Sequence, residues 1–304
     1  MPAAVRRAVE ARLGSGVVEA STQSGGFSPG VAARLRLRDG RRVFVKAVSS
    51  DPNPDSPGMH RREACIAAAL PVTVPAPRFL FLHDDGDWVA LAFEDVEGRT
   101  PATPWQAHEL ELVLSAVTRM ATSLTPSPIS LASIAEAHDD DLRGWRRLAA
   151  AAETGEDDLA GLDLWARRHL EALAELEARW PQSAEGTTLL HVDLRADNMV
   201  ITQDRVVVVD WPHAAIGAAW IDLLFLLPSV AMQGGPMPWE IFDSHPVALR
   251  ADPDRVNAVL AAIAGFFTRQ SRQPPPPGLP TLRQFQRDQG LPAIEWLKRR
   301  TGWA

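Results

Sequence analysis

The feature that most constrains this chain is a polar segment followed by two short apolar runs. Residues 191–198 read His-Val-Asp-Leu-Arg-Ala-Asp-Asn, and an aspartate, Asp210, ends the second apolar run. The runs Met199–Ile201 and Val206–Val209 flank a turn signal at Gln203-Asp204. This pattern predicts a β-hairpin that begins after the polar segment and ends at Asp210. The hairpin would bring the two ends of the segment 198–210 together.

The residue types at these positions suit phosphoryl transfer. That reaction needs a carboxylate to orient the attacking hydroxyl and accept its proton, and oxygen ligands to hold Mg²⁺ against the phosphates. Asp193, with Asn198 five positions later, matches the catalytic loop of kinases, in which the Asp is the base and the Asn a metal ligand. Asp210 at a strand end would be a rigid second ligand. We therefore predict Asp193 as the base and Asn198 and Asp210 as metal ligands.

A lysine upstream lies where a cation for the nucleotide is expected. Lys46 ends the apolar strand pattern of residues 43–45, and Glu63 follows in a segment that favours a helix. A strand lysine can reach the α- and β-phosphates, and a helix glutamate can hold the lysine by an ion pair. Taken alone, both residues would be ordinary surface charges. Because Asp193 and Asn198 follow downstream, we predict that Lys46 and Glu63 bind the nucleotide.

The segment before that strand is rich in glycine. Gly25, Gly26 and Gly30 would let backbone N–H groups approach a phosphate closely, so we predict that they contact the nucleotide together with Ser28. The segment is neither a Walker A motif nor a G-x-G-x-x-G motif. An ordinary flexible loop is the alternative.

The same segment also matches the G-x-S-x-G elbow of α/β-hydrolases, with Ser28 in the nucleophile position. That elbow uses the backbone N–H of the residue after the serine as an oxyanion donor, and Pro29 has no N–H. A strand is expected after Ser28, whereas the elbow requires a helix. A hydrolase is therefore only a remote alternative.

Composition excludes several classes of partner and site. The net charge of −7 gives no general attraction to nucleic acid or anionic lipid, so neither is expected as a partner. The only cysteine is Cys65, which rules out an intramolecular disulfide and a cysteine zinc cluster. The apolar stretches Ala218–Leu227 and Val259–Phe267 are too short to span a bilayer. A reducing, cytoplasmic location fits these observations, and the oligomeric state is not predicted.

Periodicity predicts an α+β fold with two lobes. Hairpin signals at Asp39-Gly40 and at residues 84–87, with a helix at His60–Leu70 between them, predict an antiparallel sheet after a short opening helix. We assign residues 1–95 to this N-lobe and residues 96–304 to a mainly helical C-lobe. The helices predicted for the C-lobe are 105–124, 162–180, 254–269 and a pair around 282–300.

These motifs together resemble the aminoglycoside phosphotransferase and choline-kinase-like group of small-molecule kinases. The resemblance spans most of the chain and implies a two-lobed, protein-kinase-like fold that uses ATP and Mg²⁺. It implies a hinge at residues 93–98, where backbone near Phe93, Glu94 and Asp95 hydrogen-bonds the adenine. It also implies that Asp222 is a buried aspartate that ties down the catalytic loop. We expect His191 to support that loop by hydrogen bonds.

The sequence departs from the family pattern in two informative places. The family often shows His-Gly-Asp-x-His, where this chain has Val192 and Arg195 in place of the glycine and the second histidine. Arg195 could neutralise the transferring phosphate or pair with Asp197. Only twelve positions separate Asp210 from Asp222, too few for the activation segment of a protein kinase. A small hydroxylated acceptor is therefore favoured.

The resulting hypothesis is an ATP-dependent O-phosphotransferase that acts on a small molecule such as an aminoglycoside-like antibiotic, an amino sugar or an amino alcohol. The alternative is a catalytically silent nucleotide-binding protein that keeps the fold. Acidic residues at 139–141 and 153–158 would favour a neutral or cationic acceptor if they line its site. A solvated acidic surface is the other explanation for them.

Overall fold

The computed structural model describes residues 1–23, 30–51, 53–276 and 279–304. They divide into two compact units. The N-terminal unit comprises Met1–Pro101 and Ala196–Ala214, and the helical unit comprises Ala102–Arg195 and Ala215–Ala304. The first contains the main sheet and the second most of the helices, so the predicted α+β class is confirmed.

The elements follow one another along the chain as follows. They are α1 (Ala3–Leu13), β1 (Val17–Thr22), β2 (Val31–Leu37), β3 (Arg42–Ser49), α2 (Ser56–Ala69), β4 (Phe79–Asp84), β5 (Trp88–Glu94), α3 (Ala107–Ser123), α4 (Ile134–His138), α5 (Gly144–Glu153), α6 (Leu164–Arg168), α7 (Leu170–Ala178), α8 (Trp180–Ser183), β6 (Thr188–Leu190), β7 (Met199–Ile201), β8 (Val206–Val208), β9 (Ala215–Gly217), α9 (Ile221–Met232), α10 (Pro238–Phe242), α11 (Pro253–Ser271) and α12 (Leu282–Thr301). A short 3₁₀ turn, Ala196–Asn198, precedes β7.

The described strands of the main sheet are antiparallel and lie in the order β1-β2-β3-β5-β4. Alternation along β3 gives the sheet two different faces, because successive side chains of a strand point to opposite sides. Val43, Val45 and Ala47 join the core that α1 covers. Phe44 therefore points to the opposite face, and Lys46 does so as well.

Helix α2 covers that opposite face of the sheet. Ala64 and Ala67 of α2 pack in one cluster with Leu91 and Phe93 of β5. The helix begins at Ser56, before the predicted start at residue 60, because Pro57 in the first turn has a fixed φ that suits a helix start.

The hairpin β7-β8 groups with the N-terminal unit through backbone hydrogen bonds. Arg99 and Ile201 exchange two bonds of 2.7 and 3.1 Å, and the Val208 N–H donates to Pro75 O at 2.6 Å. A Cβ on Gly98 would lie 2.4 Å from Ile201 O, so this approach requires glycine. The proposed lobe boundary between residues 95 and 96 stays a prediction. The compact units differ from it because these bonds join residues 196–214 to the sheet.

Two predicted helices of the helical unit differ from the structure. The segment 162–180 is divided into α6, α7 and the start of α8, which begins at Trp180 and has Pro181 in its first turn. The predicted C-terminal pair is one helix, α12, which packs along α11 and contains Pro292 within it. No helix in the described ranges is long and apolar enough to cross a membrane.

Candidate functional site

A cavity of about 380 Å³ lies within the N-terminal unit. Four of the residues predicted for the phosphate end of a nucleotide line it: Lys46, Glu63, Asn198 and Asp210. Three elements bring them together, namely β3, α2 and the β7-β8 hairpin with its flanking residues. The cavity therefore collects residues that are up to 164 positions apart in the chain.

Lys46 is held between two carboxylates in this cavity. Its Nζ donates to Glu63 Oε1 at 2.8 Å and to Asp210 Oδ1 at 2.6 Å. Burial alone would lower the pKa of Lys46, but the charges of Glu63 and Asp210 outweigh burial and raise it. Burial raises the pKa of Glu63 although the neighbouring lysine lowers it. Lys46 is thus a permanently charged cation, and 18% of its side chain is exposed.

Asp210 is fixed in place by an unusual backbone and by α2. Its φ of 70° lies in the left-handed region, which is uncommon for a residue other than glycine. The Arg62 side chain on α2 donates from Nε to Pro212 O at 2.9 Å and from Nη2 to Ala214 O at 2.7 Å. These bonds hold the chain beyond Asp210 against the helix that also carries Glu63.

Asn198 and Asp210 fit a Mg²⁺ ion bound together with nucleotide phosphates. The Val209 N–H donates to Asn198 O at 2.9 Å, so the two ends of the hairpin meet, as predicted. In the described parts of the chain no three His, Cys, Asp or Glu side chains are grouped to hold a metal. Mg²⁺ typically takes one or two carboxylates plus phosphates and water, so a sparse protein ligand set suits it. Asp210, 37% of whose side chain is exposed, can reach such an ion.

The predicted hinge residues Phe93, Glu94 and Asp95 also line the cavity. The Asp95 side chain is only 1% exposed and pairs with Arg42 Nε at 2.8 Å and with Arg34 Nε at 3.4 Å. Its carboxylate therefore pairs with two arginines of the sheet, and in the same segment the Glu94 N–H donates to Arg78 O at 2.9 Å. Sequence reasoning missed Arg34, whose position facing Phe44 across β2 and β3 was the available signal.

The glycine-rich segment is only partly described. Gly30 lines the cavity with φ 139°, and a Cβ there would lie 2.7 Å from Ala47 O, so only glycine fits. Gly25, Gly26 and Ser28 lie outside the described residues, and so does the elbow of the hydrolase alternative.

His60 is a titratable residue of the cavity that the sequence did not predict. His60 of α2 lines the cavity one helical turn before Glu63, and its Nδ1 lies 3.2 Å from Ser56 O. Burial and, to a smaller extent, the charge of Lys46 lower the pKa of His60 from 6.5 to about 4. The imidazole is therefore neutral at physiological pH.

The predicted base lies in the helical unit. Arg195 Nη1 donates to Asp193 Oδ1 at 3.0 Å, and the Asp193 N–H donates to His191 Nδ1 at 3.2 Å. Since Nδ1 accepts this bond, a neutral His191 carries its proton on Nε2. His191 is fully buried and supports the loop by hydrogen bonds.

Asp222 at the start of α9 holds the loop before Asp193. Its carboxylate accepts the N–H of His191 at 2.8 Å and that of Val192 at 2.9 Å. Val192 has φ 73°, a strained conformation for a β-branched residue at a position where the family often has glycine. Burial raises the pKa of Asp222 to about 6, although the two N–H bonds lower it.

Three of the acidic residues considered for acceptor binding, Asp139, Asp140 and Asp157, have arginine partners. Asp139 pairs with Arg143 at 2.9 Å and with Arg146 at 3.1 Å. Asp157 pairs with Arg272. The positive charges compensate these carboxylates, so none of the three provides an uncompensated negative charge for a cationic acceptor.

Comparison with known proteins points to one family. A model described as the phosphotransferase enzyme family matches residues 24–246, well over half of the chain. No curated protein matches the chain at a significant level. Many solved structures share the fold, which confirms the predicted protein-kinase-like class, and three of them are described here.

The structural similarities cover nearly the whole chain. A thermostable mutant of aminoglycoside phosphotransferase APH(4)-Ia with ADP and hygromycin B has a TM-score of 0.57 at 14% identity, over 98% of this chain and 96% of that one. An aminoglycoside phosphotransferase from Alicyclobacillus acidocaldarius has a TM-score of 0.61 at 14% sequence identity, and the match covers 94% of this chain and 92% of that one. The choline kinase LicA from Streptococcus pneumoniae has a TM-score of 0.61 at 14% sequence identity, and the match covers 98% of this chain and 97% of that one.

Proposed function

Because the chain belongs to the phosphotransferase enzyme family and is a small-molecule kinase that acts on a hydroxyl group, we propose that it transfers the γ-phosphate of ATP to a small hydroxylated compound. The observation that carries the proposal is the cation Lys46, held by Glu63 and Asp210 in the wall of a cavity. A buried cation that is already oriented offers a binding site for phosphate oxygens.

The nucleotide is assigned to the cavity of the N-terminal unit. Its base would lie near the hinge backbone at Phe93 and Glu94, and its phosphates near Lys46. Asn198 and Asp210 would hold Mg²⁺, which neutralises charge on the phosphates when it is bound. The choice of ATP over GTP rests on the resemblance to known kinases, and the cytoplasmic location stays a prediction.

Asp193 is assigned as the general base. Its carboxylate would accept the proton of the attacking hydroxyl, while Arg195 on Oδ1 fixes the orientation of the group. His191 and Asp222 hold the backbone of the same loop. The segment that follows Asp193 leads within five residues to Asn198, so one stretch of chain would supply both base and metal ligand.

A coupled assay tests this function. ADP release is measured with Mg-ATP and Mg-GTP over aminoglycosides, macrolides, amino sugars, amino alcohols and neutral polyols. The matched control is Asp193→Asn, which keeps the size of the side chain but cannot accept the proton. We expect its kcat to fall by about 10²–10⁴-fold with little change in the KM for ATP. Near-native turnover by this variant at saturating Mg²⁺ would show that Asp193 is not the base.

Asp210→Asn distinguishes a metal ligand from a base. An amide is a weaker Mg²⁺ ligand than a carboxylate, so the residual rate of this variant should rise with Mg²⁺ concentrations that already saturate the wild type. A protein that binds Mg-ATP in a thermal-shift assay but turns over no acceptor would support the silent nucleotide-binding alternative.

A further inference from the structure

Two arginines of the main sheet hold the short segment that follows β5, residues 95–97. Arg34 lies on β2 and Arg42 on the neighbouring strand β3. Both pair with the Asp95 carboxylate, Arg42 Nε at 2.8 Å and Arg34 Nε at 3.4 Å. The Asp95 side chain is 1% exposed, and buried charges in proteins are paired. The sheet therefore fixes this side chain in place.

Arg34 also holds the backbone of this segment. Its Nη2 donates to Val96 O at 3.2 Å, and this is the one hydrogen bond that the Arg34 side chain makes with residues that the structure describes. The buried Arg34 Nε lies close to Asp95 Oδ1 without a hydrogen bond to it, so that contact is electrostatic. The hydrogen bond of the guanidinium is therefore directed at the Val96 carbonyl.

No backbone contact of the segment could replace this bond. The Glu94 N–H donates to Arg78 O, and Arg99 is the next residue that pairs with another strand. Between these two points, residues 95–98 make no backbone–backbone hydrogen bond within the described parts of the chain. The path of the backbone at Val96 therefore depends on the side chain of Arg34.

Arg34 lies at the end of the cavity to which the base of the nucleotide is assigned. Arg34, Asp95 and Val96 all line the cavity. Arg34 faces Phe44 across β2 and β3, and Phe44 lies two residues before Lys46 on β3. Two residues correspond to about 7 Å along a strand, so Arg34 is displaced by that distance from the cation at the phosphate end. The two cations therefore lie at different ends of the cavity.

We propose that Arg34 is a positioning residue of the nucleotide site, which fixes the backbone at Val96 in the conformation that hydrogen-bonds the base. The proposal rests on the proposed function, because it concerns the nucleotide of the same reaction. Arg34 acts through Val96 O. It therefore contributes to binding of the base and not to binding of the phosphates. A nucleotide should depend on Arg34, whereas a polyphosphate without a base should not.

The test compares two ligands, of which only one has a base. They are Mg-AMP-PNP and Mg-tripolyphosphate, and calorimetry measures the Kd of each. Arg34→Met keeps an unbranched apolar stem and removes the donor to Val96 O. The matched control is Arg36→Met, because Arg36 lies on the same strand and face and also pairs with a carboxylate, that of Glu19, at 2.7 Å. Lys46→Met serves as the reference for the loss of a phosphate contact.

We expect Arg34→Met to raise the Kd of Mg-AMP-PNP about tenfold, the value of one hydrogen bond, and to leave the Kd of Mg-tripolyphosphate unchanged. The KM for ATP should rise by the same factor with an unchanged kcat, because the base is bound equally in the ground state and in the transition state. Arg36→Met should leave both Kd values unchanged. Lys46→Met should weaken the binding of both ligands.

A second variant covers the case in which Arg34→Met does not fold. Arg34→Lys keeps a positive charge beside Asp95, so the buried carboxylate stays paired. An ammonium group lacks the planar fork with which the guanidinium reaches both Asp95 and Val96. Arg34→Lys should therefore fold and should also weaken Mg-AMP-PNP without weakening Mg-tripolyphosphate.

Three results would overturn the assignment. An equal rise in both Kd values would make Arg34 a phosphate contact, unchanged binding of Mg-AMP-PNP by a folded Arg34→Met variant would leave Arg34 without a role in the site, and wild-type binding by Arg34→Lys would show that only the charge matters. Failure of the proposed function looks different. A wild type that binds Mg-AMP-PNP through Arg34 but transfers phosphate to no acceptor would contradict the kinase activity and leave the role of Arg34 standing.

Discussion

Lys46 is the residue at which stability and function are most closely linked. Lys46→Met leaves the buried Glu63 without a cation, and breaking a buried pair costs about 3–5 kcal/mol. We expect the lower end of this range, because Asp210 is partly exposed. Loss of a charge-assisted contact worth about 1.5–3 kcal/mol should also lower kcat/KM for ATP by about 10- to 150-fold. Denaturant unfolding and steady-state kinetics measure the two effects.

A double variant separates these two effects. Adding Glu63→Gln to Lys46→Met removes the uncompensated carboxylate, so the free energy of unfolding should recover in part. The kinetics with ATP should not recover, because the cation is still missing. Recovery of both quantities would show that Lys46 acts only through folding.

Val192 is the residue at which backbone strain can be tested. Its φ of 73° costs about 1–3 kcal/mol, whereas glycine at the same position costs about 0.5–1 kcal/mol in backbone entropy. Val192→Gly should therefore stabilise the protein by about 1 kcal/mol, seen as a Tm higher by about 2–4 °C. Val192→Ala keeps a Cβ and should gain less. Equal gains from the two substitutions would argue against strain as the cause.

At the scale of elements, a side chain of one helix accepts hydrogen bonds from the first turn of another. Glu177 of α7 is fully buried and accepts the N–H groups of Trp145 and Arg146, each at 2.9 Å, in the first turn of α5. These N–H groups have no partner within their own helix, and a negative charge there is favourable. The close approach of Gly144 to Gly265 of α11, where a Cβ would lie 2.0 Å from a carbonyl oxygen, fixes the start of α5.

Glu177 should make the stability depend on pH. Burial raises its pKa from 4.5 to about 7, against the two N–H bonds and Arg146, which lower it. The folded state therefore binds a proton more tightly than the unfolded state does. The contribution of Glu177 is complete below pH 4.5 and is lost as the pH rises to about 7.

Glu177→Gln removes this titration. Unfolding free energies from pH 4.5 to 8 should show the wild type losing stability relative to the variant up to about pH 7, with no further change above it. A difference that is constant with pH, or that grows in favour of the wild type, would contradict the raised pKa.

At the scale of the whole molecule, ligand binding should affect the two units differently. All residues that line the cavity belong to the N-terminal unit, including those of the β7-β8 hairpin. Mg-AMP-PNP should therefore slow hydrogen exchange in that unit, including residues 196–214, more than in α11. Hydrogen-exchange mass spectrometry measures this, with Lys46→Met as the control. Equal protection of both units would contradict a nucleotide site confined to one of them.

The sequence by itself determined the features that depend on local pattern. Alternation in residues 43–47 predicted β3 and so the face on which Lys46 lies, because neighbouring side chains on a strand alternate. The apolar runs around Gln203-Asp204 predicted the hairpin that carries Asn198 and Asp210. The spacing of Asp193 and Asn198 predicted the chemistry, since few functions need that set of residues.

Only the tertiary structure decided the partners of the charged side chains. Arg195 pairs with Asp193 and lies over Phe285, 90 positions away, and Asp95 is taken up by Arg34 and Arg42. Local sequence could not predict these partners, because many arginines and carboxylates satisfy the same charge pattern. Packing of elements distant in the chain selects among them. A charged side chain that becomes buried requires a partner, and the tertiary packing determines which group that partner is.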